Sequence, residues 1–223
     1  MIEVKPDIIN DLINYLNGKR YVLNKQPFEV NIVGLRSDST ASNKFDDKLI
    51  LFYFDGATWR GFEYPITTDP GTYWLKKPMN VDGTAILKTG QYQYKIGLHQ
   101  GKYKALVQRG AVTVLRDYDR NAILDFNNGK EATGFFGINI HRATSTGTST
   151  NVDKWSAGCQ VFASSTDFKH FLNLVEQSVD KYGEQSLYYT LIDQRAINRA
   201  TKRNISFFLI LLFGINYFTK FIK

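Results

Sequence analysis

The chain has 223 residues, of which 43% are hydrophobic and 22% charged, with only 5 Pro. That is enough for one domain with appendages, or at most two small domains, with a sizeable core, and it excludes disordered, collagenous, low-complexity and coiled-coil classes. Lys plus Arg exceeds Asp plus Glu, 28 against 21, for a net charge of +7; the balance favours anionic surfaces, but no nucleic-acid motif or dense basic tract accompanies it, so no specific nucleic-acid partner is expected.

Residues 1–20 lack the charged start, unbroken apolar run and small-residue cleavage site of a secretory signal peptide, so export by that route is not expected. Ile8, Ile9, Leu12, Ile13 and Leu16 recur at helical spacing behind Pro6, and Gly18 offers a stop. The spacing predicts a short amphipathic helix that covers one side of the sheet after it. From Phe28 onward the pattern becomes short apolar or alternating runs at 28–35, 49–54, 64–67, 92–98, 103–107, 112–116 and 122–126. These read as strands, and the 13 Tyr and 16 Phe suit such pleated surfaces. Asp55-Gly56, Asp69-Pro70-Gly71, Asp82-Gly83, Gln100-Gly101 and Asn127-Asn128-Gly129 are turn-formers between them, spaced closely enough for antiparallel pairing. The expected fold class is α+β, with a β-rich sandwich or barrel-like core.

A further strand is expected over 134–140, running into His141 and followed by a Ser/Thr/Gly/Asn loop over 144–151. Phe168, Phe171, Leu172, Val175 and Val179 predict a helix over 167–179, capped by Ser165 or Thr166, and 187–193 alternates as a last strand. The tail differs. Residues 204–219 are 16 consecutive uncharged positions, about 24 Å long as a helix against a hydrocarbon core of about 30 Å. Lys202 and Lys220 could snorkel to lengthen it, so membrane contact through a C-terminal hydrophobic helix is expected, with a buried helix or an oligomer contact as the alternative. Arg195, Arg199, Lys202 and Arg203 before the run would hold the globular part on the cytoplasmic side of a span. The chain thus divides into an N-terminal helical segment, 1–27, a core domain, 28–194, and a basic then hydrophobic tail, 195–223.

The only cysteine lies in Trp155-Ser156-Ala157-Gly158-Cys159-Gln160, 18 residues after His141. A lone cysteine is often an inert buried hydrophobe. A fold that turns back through the polar loop, however, would set the imidazole beside the sulfur, where histidine takes the thiol proton and delivers it to a leaving amine. Backbone N–H groups of Gly158 and Cys159 are candidates for an oxyanion hole, and the Ser156 hydroxyl for an orienting group. One Cys and three His show no paired metal-ligand spacing, and no Gly-rich phosphate loop is present, so neither a metal nor a nucleotide cofactor is expected. His99 and His170 read as surface or structural residues.

These residues resemble the L,D-transpeptidase catalytic domain, whose signature is a His, 14 to 17 residues, then Ser or Thr, His, Gly and Cys. Here His141 is followed by 14 residues and Ser156-Ala157-Gly158-Cys159. Lys88-Thr89-Gly90-Gln91-Tyr92 is similar to an upstream segment of that family, and the resemblance covers roughly 48–165. It implies a β-rich catalytic domain that attacks peptidoglycan stem peptides through a thioester, with Cys159 as nucleophile, His141 as base, and Gly158 and Ser156 in the turn. Three positions depart from the pattern: Ala157 replaces the motif histidine, Val161 replaces an arginine two residues past the nucleophile, and Lys88 replaces a proline. Arg142, Gln160 and Trp155 are the candidates for substrate contact in place of that arginine. A wall-active enzyme without a signal peptide suggests a phage lytic hydrolase or virion component. The rival expectation is a catalytically inactive structural or envelope-binding protein that keeps the fold.

Overall fold

A computed structural model describes residues 1–126 and 129–194. The tail over 204–219, the basic run before it and the Asn127-Asn128 part of one expected turn lie outside the described residues. The fold is mixed α+β. Among the described residues no helix is long and apolar enough to cross a membrane.

The N-terminal helix, α1 (Pro6–Lys19), forms where the spacing places it, with Pro6 in the first turn, where its missing N–H leaves no bond unmade. It runs through Gly18 and stops at Arg20, which adopts the left-handed conformation at φ 57° and returns its N–H to Asn17. Ile9, Leu12 and Leu16 bury against Val33, Ile50, Phe52 and Ile192. At about 1.5–3 kcal/mol per buried side chain, this face holds a helix that would be marginal alone.

The strands are β1 (Ile2–Glu3), β2 (Asn31–Arg36), β3 (Asp47–Phe54), β4 (Trp59–Thr67), β5 (Thr84–Leu87), β6 (Gly90–His99), β7 (Tyr103–Gln108), β8 (Val112–Asp117), β9 (Glu131–Gly134), β10 (Ile140–Arg142), β11 (Gln160–Phe162) and β12 (Tyr188–Asp193). Nine of them form one sheet in the order β1-β4-β11-β10-β7-β6-β12-β2-β3, and a further β3–β4 pairing closes it, with β1 left outside the ring on β4. Eight strands therefore close into a barrel, which removes their free edges. The remaining strands make a small β5-β8-β9 sheet. Two further helices complete the described fold: α2 (Thr72–Lys76) and α3 (Ser165–Tyr182). Phe168, Phe171 and Val175 of α3 enter the same cluster as Tyr64, Leu106, Ile140 and Phe162 from the barrel.

Several expectations are corrected. Pairing is not uniformly antiparallel, because β10–β11 and β12–β2 run parallel. Residues 122–126 make no strand: Ile123 forms one isolated bridge to Ala41, and Leu124 anchors the loop in a cluster with Leu75, Ile86 and Leu115. The strand over 134–140 is interrupted after Gly134. There the Gln108 carboxamide oxygen accepts from the N–H groups of Phe136 and Ile138, at 3.1 and 2.9 Å, standing in for a neighbouring strand. Helix α3 is capped by Ser164, whose hydroxyl accepts from Asp167 N–H at 3.2 Å, rather than by Ser165 or Thr166.

Candidate active site

Cys159 and His141 reach one site because β10 and β11 are parallel neighbours. The register sets Ile140 opposite Gln160 and His141 opposite Val161, and Gln160 N–H donates to Asn139 O at 2.9 Å. Asn139 and Cys159 are thus level, with His141 two residues along the same face of the sheet. A long polar loop separates the two strands in sequence, yet their pairing makes the two residues neighbours.

His141 is 2% exposed. Its Nδ1 lies 2.9 Å from the carbonyl oxygen of Arg142, an acceptor only, so Nδ1 carries the proton and Nε2 the lone pair. The Tyr103 hydroxyl braces both groups at 3.2 Å. Nε2 is buried with no hydrogen-bond partner among the described residues. The imidazole stacks on His99 at 3.8 Å between centroids, and the His99 ring is itself held by the Asn139 amide, 3.1 Å from its Nδ1. Burial, and next the His99 ring, push the His141 imidazolium down to about 3. His99, whose expected role is that of a surface or structural residue, is therefore part of the cluster. His170 has the structural role expected of it, its Nδ1 lying 2.8 Å from the Tyr64 hydroxyl.

The Cys159 thiol is half-buried, donates toward Gly137 O at 3.4 Å and accepts from Asn139 N–H at 3.4 Å. Burial pushes it up to about 11. At neutral pH the pair is thus thiol and neutral imidazole, not thiolate and imidazolium.

The turn before the cysteine is locked by Ser156, which is fully buried. Its hydroxyl donates to Cys159 O at 2.8 Å and accepts from Gly158 N–H at 3.1 Å, so it positions the nucleophile through the backbone. This corrects the oxyanion expectation: the Gly158 N–H is already engaged, and the Cys159 N–H is the donor left to a developing oxyanion. Gly158 has φ +122°, and a Cβ there would lie 2.4 Å from Ala85 O.

Gln160 is also corrected as a substrate contact. It is wholly buried; its amide donates to Thr68 O and Gly158 O at 3.4 and 3.3 Å and accepts from the Tyr189 hydroxyl at 2.7 Å. Tyr189 reaches it only because residue 34 is glycine, where a Cβ would lie 1.9 Å from the tyrosine oxygen. Behind Thr68, Arg36 donates to Thr68 O at 3.2 Å and Leu87 O at 2.9 Å and pairs with Asp69 at 2.9 Å. This buried polar network anchors the cysteine turn to the barrel. Arg142 stacks over the Tyr103 ring at 4.1 Å, beside His141, while Trp155 stands 46% exposed at the surface.

The chain matches no protein-family model, no curated protein and no solved structure with which it was compared. Its chemistry is therefore read from the site alone.

Beside the cysteine turn is a cleft of about 220 Å³ lined by Trp74, Met79, Thr84, Arg116, Phe136 and Ala157. A larger one, of about 650 Å³, runs between the N-terminal arm and β4 and is lined by none of the candidate residues. Arg116 was not legible as a site residue, since one arginine in an alternating strand carries no local signal. The residue is buried, with 8% of its surface exposed. The guanidinium lies 4.8 Å over Phe136, makes one long bond to Gly83 O at 3.4 Å, and has no carboxylate partner among the described residues.

Proposed function

We propose that this protein is a cysteine acyltransferase or hydrolase of the L,D-transpeptidase kind, acting on peptidoglycan stem peptides. The observation that carries the reading is the His141 imidazole, fixed by Arg142 O in the tautomer that leaves the Nε2 lone pair unprotonated, on the face and beside the strand end that carry the only cysteine. Sγ attacks the carbonyl carbon of the scissile amide as Nε2 takes the thiol proton. The C–N bond then breaks, the leaving amine receives that proton, and a thioester forms. An incoming amine or water gives its proton to Nε2 as it attacks the thioester; the C–S bond breaks, and that proton passes from Nε2 to Sγ, restoring the thiol and the neutral imidazole. Because both partners rest neutral, proton transfer accompanies attack, and the Cys159 N–H supports the oxyanion.

In this reading Arg116 takes the place of the arginine that the resemblance puts at Val161, a position buried in the barrel wall. A buried guanidinium on a cleft beside the nucleophile suits a substrate carboxylate. Arg116→Met, which keeps the contact with Phe136, is expected to raise KM about 10- to 100-fold, the worth of one charge-assisted hydrogen bond, with kcat nearly unchanged. Steady-state kinetics on a stem peptide and on its amidated form check this; an equal loss on both would remove carboxylate recognition.

One observation favours a non-catalytic reading: the resting thiol is hydrogen-bonded to Gly137 O and held far above the ordinary thiol range. Incubating the full chain and its Cys159→Ala variant with purified tetrapeptide fragments, followed by intact-mass measurement, separates the two. An acyl adduct present only with Cys159 is the expected result. Absence of both adduct and product from the folded parent chain would make the domain structural.

A further inference from the structure

Away from the cysteine, the end of β8 and the loop after it bring three carboxylates together. Asp117, Asp119 and Asp125 each offer an oxygen within 4.8 Å of the others. Asp117 is completely buried, one of its oxygens accepting from Asp125 N–H at 3.1 Å. Its other oxygen, Oδ1, is buried with no hydrogen-bond partner, a costly arrangement for a carboxylate unless something positive meets it. Neither Asp117 nor Asp119 takes part in an ion pair among the described residues.

The sequence supplies the rest. Asp117-Tyr118-Asp119-Arg120-Asn121-Ala122-Ile123-Leu124-Asp125 places oxygen-bearing side chains at the first, third, fifth and ninth positions, the spacing with which a single loop wraps a calcium ion. Hard oxygen donors at this spacing suit a cation that tolerates irregular coordination, which calcium does and magnesium does not. Two features weaken such a loop: Ala122 stands where a glycine eases the turn, and the twelfth position is Asn128 rather than a bidentate Glu.

We infer that the 117–125 loop is a calcium-binding site, independent of the acyl-transfer chemistry, in which the orphaned oxygen of Asp117 and the carboxylates of Asp119 and Asp125 hold the ion. With three carboxylates and no closing Glu, dissociation constants near 10⁻³ M are expected. Thermal unfolding of the full chain at constant ionic strength tests it. CaCl₂ at 10 mM should raise Tm by about 3–6 °C, and MgCl₂ by clearly less. Asp119→Asn with Asp125→Asn should abolish the rise while the calcium-free Tm stays within a few degrees of the parent. Asp117→Asn should abolish it too and raise the calcium-free Tm, because a buried charge is removed. Terbium emission sensitised by tyrosine, with Tyr118 inside the loop, should appear in the parent, be displaced by CaCl₂ and vanish in the double variant. No calcium-dependent shift, an equal shift with MgCl₂, or a shift that survives the double substitution would overturn the site.

Discussion

Replacing His141 with Gln is expected to lower kcat by about 10²- to 10⁴-fold with KM held within a few-fold, the range over which a positioned general base acts. Gln is close to the ring in size, but its amide falls near the position of Nε2 rather than of Nδ1 and cannot take the proton of Cys159. The same variant has a second signature that does not depend on any substrate. Burial and His99 hold the His141 imidazolium down to about 3, from an ordinary value of 6.5. Below pH 6.5 the unfolded chain takes up a proton that the folded chain refuses until about pH 3. The stability conferred by neutral His141 is therefore complete above pH 6.5 and declines as pH falls toward 3, by about 1.4 kcal/mol per pH unit. Gln does not titrate, so His141→Gln should have a visibly flatter loss of stability between pH 6.5 and 4. Urea midpoints across that range measure it; parallel losses in the two proteins would show that the imidazole is not buried neutral.

The second large effect is expected at Gly158. Alanine there must tolerate φ +122° and a methyl group 2.4 Å from Ala85 O, a backbone atom of β5 that cannot swing aside. Gly158→Ala should cost at least about 3 kcal/mol, since left-handed strain and a main-chain clash add. The turn that Ser156 ties to Cys159 would shift with it, so the variant should also lose acylation. Gly18→Ala is the matched control: nothing lies within 4 Å of its added methyl, inside α1, and a gain of about 0.5–1 kcal/mol is expected. Urea unfolding of the two variants reads the contrast directly. Equal, small effects would mean that the turn relaxes freely and that Gly158 does not fix the nucleophile.

What can be read along the chain is uneven, and particular residues show why. The stripe Ile9, Leu12 and Leu16 and the stripe Phe168, Phe171 and Val175 announce their helices because a helix repeats its buried face every three to four residues, whatever it packs against. β11 has three residues, Gln160–Phe162, all buried, too short for any periodicity, so the strand that carries the site was invisible. Run 122–126 shows the converse: its apolar residues satisfy a strand pattern but serve to pin a loop. Gln160 looked like a substrate contact from its place after the cysteine; only the three-dimensional neighbours Thr68 and Tyr189 reveal that its amide is spent inside.

The sequence by itself determined the mixed α+β class, the two amphipathic helices, most of the strands, and the chemistry at hand: one thiol, one histidine at a fixed distance before it, and a serine and glycine in the turn between. Those features are local, written in spacing and residue type. The tertiary structure alone decided that β10 and β11 lie parallel, that β3 and β4 close the barrel, that His99 stacks on His141, that Gly158 N–H belongs to Ser156, and that Arg116 lines the neighbouring cleft. Each of these joins residues distant in the chain or depends on a hydrogen bond between competing acceptors. Such choices are made by long-range register and by the burial of polar groups, which the order of residues along the chain does not display.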